Sequence, residues 1–111
     1  MKFSDLNIPE VPLIRVDMTE EWGEGVVIYG KPLTPADLSW VTRKHKNFMS
    51  GANSEGIIDL LIRKAMNEDG EKFFTLEDKV KLKNMPLEIV SKACEVYGEL
   101  QAPDEAEAEK N

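Results

Sequence analysis

A chain of 111 residues, 41% hydrophobic and 32% charged, has the length of one globular domain and the composition of a folded one. Twenty-one acids against fourteen Lys and Arg leave a net charge of −7, which argues against nucleic-acid binding by phosphate neutralisation. The single cysteine, Cys94, excludes an internal disulfide, and the single histidine, His45, leaves metal chemistry short of ligands.

Residues 1–10 mix polar and acidic side chains and lack a signal-peptide core, so they are expected to form an extended N-terminal segment. No run approaches the roughly 20 apolar residues of a membrane span, and the expectation is a soluble, cytoplasmic protein. Residues 11–18 (VPLIRVDM) and 25–29 (GVVIY) read as two strands of an antiparallel hairpin, residues 11–30 in all. Between them, residues 19–24 (TEEWGE) read as an acidic, turn-rich loop. Pro9 and Pro12 hold the approach extended.

From residue 34 the signals are helical. Thr34-Pro35-Ala36-Asp37 supplies an N-cap hydroxyl, Pro at the first helical position and an acid three residues after the cap. Leu38, Val41, His45 and Phe48 then share a face, and residues 50–53 (SGAN) break the helix. Ser54 caps the next helix, whose stripe is Ile57, Ile58, Leu61, Ile62, Ala65 and Met66, with Leu60 outside it. Asn67-Glu68-Asp69-Gly70 ends it, and Phe73-Phe74 reads as a short buried or strand-like piece. Thr75-Leu76-Glu77-Asp78 is a second capping box, opening a helix that Met85-Pro86 closes. A last helix carries Leu87, Val90, Ala93, Cys94, Tyr97 and Leu100 on one side. Residues 101–111 (QAPDEAEAEKN) read as a disordered acidic tail. The class is therefore α+β: an N-terminal antiparallel β-hairpin packed on about four α-helices, one domain over residues 11–100 with its helical part at 34–100.

Chemistry is sparse. Aligning Gly70 with the glycine of a calcium loop puts Ala65 and Leu76 where carboxylates are required, so a simple turn is the better reading. His45, between Lys44 and Lys46, has no nucleophile or carboxylate that the sequence pattern identifies, and it reads as structural. Cys94 lies on an apolar stripe, where a free thiol acts as a small hydrophobe. Gly23-Glu24-Gly25 lacks the Lys and helix of a phosphate loop. Arg43, Lys44 and Lys46 read as a solvated face, with a contact patch for an acidic partner as the alternative. No catalytic residue, metal site or cofactor is expected, and the chain does not read as an enzyme. The tryptophans say more. Trp22, in an acidic turn, either anchors the hairpin on the helices or is displayed to a partner, and Trp40 lies off its helix's stripe.

The order of these motifs resembles the tail assembly chaperones of long-tailed bacteriophages. The resemblance lies in residues 21–29 (EWGEGVVIY), 31–37 (KPLTPAD), 67–78 (NEDGEKFFTLED) and 82–87 (LKNMPL), and spans roughly residues 11–100. The sequence departs from that pattern at Met18-Thr19-Glu20-Glu21, where many members have a Pro directly before Glu-Trp, and at Gly23-Glu24-Gly25, which replaces a tighter glycine pair. The resemblance implies a non-enzymatic protein of the host cytoplasm, absent from the mature virion. Such a protein binds the tape measure protein, keeps it soluble and helps recruit the tail tube protein. In many members a ribosomal frameshift adds a C-terminal extension, which here would join at the acidic tail. Neither nucleic acid nor membrane is an expected partner, whereas self-association is. The expected partner-binding residues are Trp22, Val27, Trp40 and Leu60, apolar side chains that one buried stripe does not account for. The competing readings are a structural virion component, for tail completion or head–tail joining, and a small host adaptor.

Overall fold

The computed structural model describes residues 1–46 and 54–98. It has the α+β architecture expected from the sequence, with a two-stranded antiparallel sheet set against helices. Strand β1 (Ile14–Asp17) pairs with β2 (Val27–Gly30) in a register that sets Val16 opposite Ile28. Both side chains are buried, so one sheet face joins the core while Arg15 and Asp17 face water. The strands are shorter than expected. Residues 11–13 remain exposed ahead of β1, where Pro12 has no N–H to offer a ladder. The acidic connection is not a loop but a helical turn, α1 (Thr19–Trp22). The Asp17 carboxylate accepts from Thr19 N–H at 2.9 Å at its start, and Gly23, at φ +121°, ends it.

Helix α2 (Pro35–Lys44) opens as the sequence predicts. Thr34 Oγ accepts from Asp37 N–H at 3.1 Å, and the Asp37 carboxylate accepts from Thr34 N–H at 3.0 Å. Val41 is buried and Leu38 half-buried, whereas Phe48 and the breaker at 50–53 lie outside the described residues. Helix α3 (Ser54–Lys64) is the centre of the molecule, packed against α2, against α4 (Asp78–Lys83) and against a 3-10 turn at Cys94–Tyr97. Contact on several sides buries Ile58, Leu60, Leu61 and Ile62 together, and leaves solvent access to the two ends of the helix, at Glu55 and Arg63.

After α3 the chain turns at residues 67–70. Asn67 Oδ1 accepts from Asp69 and Glu71 N–H groups, and Gly70 takes φ +86°. Met66 exchanges two backbone hydrogen bonds with Tyr29, at 2.7 and 2.9 Å, so the returning segment borders β2. The second capping box is half-formed. Asp78 accepts from Thr75 N–H at 2.8 Å, and α4 starts at Asp78 itself. The single last helix expected from Pro86 onward is two pieces, α5 (Leu87–Ala93) and the 3-10 turn. The tighter winding brings both Val96 and Tyr97 into the core beneath the sheet, which one α-helical stripe does not do. Leu87, at the first turn, is 74% exposed rather than on the buried side. Gly30 lets β2 press on this turn, since a Cβ there would lie 2.5 Å from the Val96 carbonyl oxygen. Leu100 and the tail at 101–111 are outside the described residues.

A candidate partner-binding groove

The groove is built from segments far apart in the chain. α1 delivers Trp22, the turn at 67–70 sends the chain back to deliver Phe73 and Phe74, and α4 supplies Leu82 with Met85 just beyond it. Phe73 N–H bonds the Ala65 carbonyl at 3.2 Å, fixing the aromatic pair at the end of α3. The chain bends at Phe73, which sets the two adjacent rings in contact instead of on opposite sides of an extended segment. Phe74 enters the core, while Phe73 stays 37% exposed. Trp22 stacks on Phe73 with centroids 6.4 Å apart and meets Phe74 edge-on at 5.9 Å, and Phe73 meets Phe74 edge-on at 4.9 Å. These rings, with Val26, Leu82 and Met85, line a groove of about 480 Å³. Asp78, Lys81 and Glu21 stand at its polar rim, with Glu21 held by Lys92 Nζ at 2.9 Å. That carboxylate raises the Lys92 pKa, so the ammonium stays charged at neutral pH.

Trp22 thus anchors the hairpin turn and also forms a groove wall. Its Nε1 is enclosed and meets no acceptor, so packing alone holds the ring. A second apolar cavity of about 280 Å³, between α3, α4 and α5, shares Leu82 and Met85 with the first. α4 is the partition between them.

The other expected site residues are elsewhere. Leu60 is fully buried and belongs to the core, because α3 packs on more than one side; it is unavailable to a partner. Val27 is half-buried opposite Asp17, and its neighbour Val26 lines the groove instead. Trp40 packs partly on the core, with Arg63 Cζ 4.8 Å and Lys44 Nζ 4.9 Å from its ring centroid. It does not line the groove. Of the four expected residues only Trp22 does. Phe73, Phe74, Leu82 and Met85 line the groove and were not among the residues expected to bind a partner.

Two carboxylates are buried: Asp37, which the sequence reading gave a capping role alone, and Asp59, which it did not single out. Asp37 takes Arg63 Nε at 2.9 Å and Lys64 Nζ at 2.8 Å besides its capping bond. Asp59 takes His45 Nε2 at 2.7 Å and Lys79 Nζ at 3.0 Å, with Lys44 Nζ at 3.5 Å. Burial pushes both carboxyls up, but the hydrogen bonds from these partners outweigh it and hold each below its ordinary value. His45 therefore does have a carboxylate partner, and its Nε2 carries the shared proton toward Asp59. Among the described residues no hydroxyl or thiol is hydrogen-bonded to the ring, so the pair acts as a clasp between α2 and α3. Burial pushes the Cys94 thiol up to about 11, leaving it protonated at neutral pH. Among the described residues no group of three or more His, Cys, Asp and Glu could hold a metal ion, and no helix is long and apolar enough to cross a membrane.

Compared with known proteins, the chain matches no family model, no curated protein and no solved structure.

Proposed function

We propose that this protein is a tail assembly chaperone of a long-tailed bacteriophage. It binds the tape measure protein, keeps it soluble in the host cytoplasm, helps recruit tail tube subunits and is left out of the finished virion. The observation that carries this reading is the meeting of Trp22 with Phe73 and Phe74. Two of the four segments that carry the resemblance, residues 21–29 and 67–78, lie some fifty residues apart in the chain and both line one apolar groove. A tape measure protein exposes long apolar helical stripes, and a groove of aromatic and aliphatic side chains suits such a face. The net charge of −7 gives each bound copy a solubilising exterior. No catalytic step is assigned to the protein.

The test is co-expression with the tape measure gene, which this reading expects as a long open reading frame just downstream, read by solubility and pull-down. The reading expects the downstream product to become soluble and to co-purify. Purified virions should lack the chain; finding it there would favour a structural tail or joining protein instead.

A further inference from the structure

Six of the ten large apolar side chains exposed among the described residues lie within residues 1–13. Phe3, Leu6, Ile8, Val11 and Leu13 are all at least 44% exposed, and Phe3 reaches 78%. One exposed leucine is ordinary on a protein surface, but five within thirteen residues form an unsatisfied apolar segment. After a 3-10 turn at Phe3–Asp5, residues 6–13 form neither helix nor strand. Leu6 and Ile8, and again Val11 and Leu13, stand two apart, the spacing that puts both members of a pair on one side of an extended chain. Pro9 and Pro12 restrict the backbone in advance, which lowers the entropy lost when the segment is ordered by a partner. Eight such residues reach about 25 Å.

The same chain carries a surface of matching character in the groove between Trp22, Phe73 and Met85. The arm does not cover its own groove. Residues 10–13 run beside Lys31, Met66 and the turn at 68–70, and no arm residue is among those lining the groove. We propose that residues 3–13 of one copy lie in the Trp22–Phe73–Phe74 groove of a second copy. Five side chains covering about 100 Å² each, against a like area of groove, bury on the order of 1,000 Å², where specific interfaces begin. Arm and groove are different patches of one surface, so the contact is heterologous. Two copies that exchange arms close as a dimer, and copies that do not close extend as a chain. The inference uses the same groove as the proposed chaperone reading but does not depend on its cargo. An apolar stripe of the cargo would displace the arm, so the free protein keeps its groove covered until cargo arrives.

Sedimentation velocity on the full-length chain over a concentration series tests this directly. The wild type is expected to associate with rising concentration. The triple variant Leu6→Ser/Ile8→Ser/Val11→Ser and the single variant Phe73→Ser should each weaken association by about tenfold or more. All four positions are exposed, so helix content by circular dichroism should be unchanged in both variants. A chain carrying Ile8→Cys, mixed with one carrying Asp78→Cys and oxidised, should give a disulfide between the two different chains, Cys94 being buried. A wild type that is monomeric at every concentration overturns the proposal. So does association untouched by the arm variant, or a mixture of the two cysteine chains that forms no disulfide between the different chains. None of these readings involves the downstream protein, so failure of the cargo assay and failure of arm exchange are separable.

Discussion

Between α2 and α3, Asp37 and Asp59 are buried, 4% and 3% exposed, and each is met by at least two cationic or imidazole groups. Around Trp22 the arrangement is the reverse: three aromatic rings fit together through their faces and edges, and the one enclosed polar atom, Nε1, has no partner. The carboxylate seam is directional, because each oxygen is committed to named donors at fixed distances. The groove is not, because apolar contact tolerates sliding and rotation of its rings. That division suits the proposed role, in which the molecule holds its shape while an apolar partner occupies the groove. The seam locks α2 to α3, and Lys79 extends the lock to α4 through Asp59 and Glu55. The rings are left to adapt.

The comparison can be broken at several points. The largest expected effect is at Leu60, which belongs to neither surface. Leu60→Ala should cost about 2–5 kcal/mol in urea unfolding, whereas a surface contact residue would cost under about 0.5 kcal/mol. Asp37→Ala removes a helix cap and leaves Arg63 and Lys64 facing a partly buried gap. With both cations in reach of solvent, a loss of about 2–3 kcal/mol is expected by the same measurement. The seam also predicts a pH dependence. Both carboxyls are held below their ordinary value near 3.8, so the unfolded chain takes up protons first as pH falls. Their contribution is complete above that value and is lost as pH drops below it toward the folded values. Stability measured from pH 6 down to about pH 2 should fall less steeply in Asp37→Ala than in the wild type. The smallest effect should come from Trp22→Phe, about 1 kcal/mol or less, because packing lost with the smaller ring is partly offset by deleting an indole N–H that is without a partner. A large loss there would mean that the packing of the wider indole outweighs that relief.

The parts of the fold that were legible in the sequence are those fixed by neighbours in the chain. Thr34-Pro35-Ala36-Asp37 closes its capping box within four residues, and the alternation around Val16 and Ile28 needs only one sheet face to be buried. What was not legible depends on partners distant in sequence. Leu60 looked surplus because a stripe assumes one buried face, and α3 has neighbours on several. Asp59 sits within Ile57-Ile58-Asp59-Leu60-Leu61-Ile62, and a carboxylate in such a run signals a buried ion pair; its partners His45 and Lys79 lie 14 and 20 residues away. α1 hid in an acidic stretch whose Asp17-Met18-Thr19-Glu20-Glu21 already carries the carboxylate that meets its first free N–H. The change from α5 to a 3-10 turn leaves no mark in a periodicity of three and four. At the groove, Trp22 was singled out by its odd setting, while Phe73 and Phe74 were recognised only as a buried piece because their ring partner lies fifty residues upstream.

The most direct test of the central claim sets the two tryptophan environments against each other in one assay. The downstream open reading frame is co-expressed with the wild type, with Phe73→Glu in the groove, or with Trp40→Ala beside the seam, and its soluble fraction is measured. Solubility restored by the wild type and by Trp40→Ala but lost with a folded Phe73→Glu is the predicted result. Solubility that Phe73→Glu supports as well as the wild type would contradict the account.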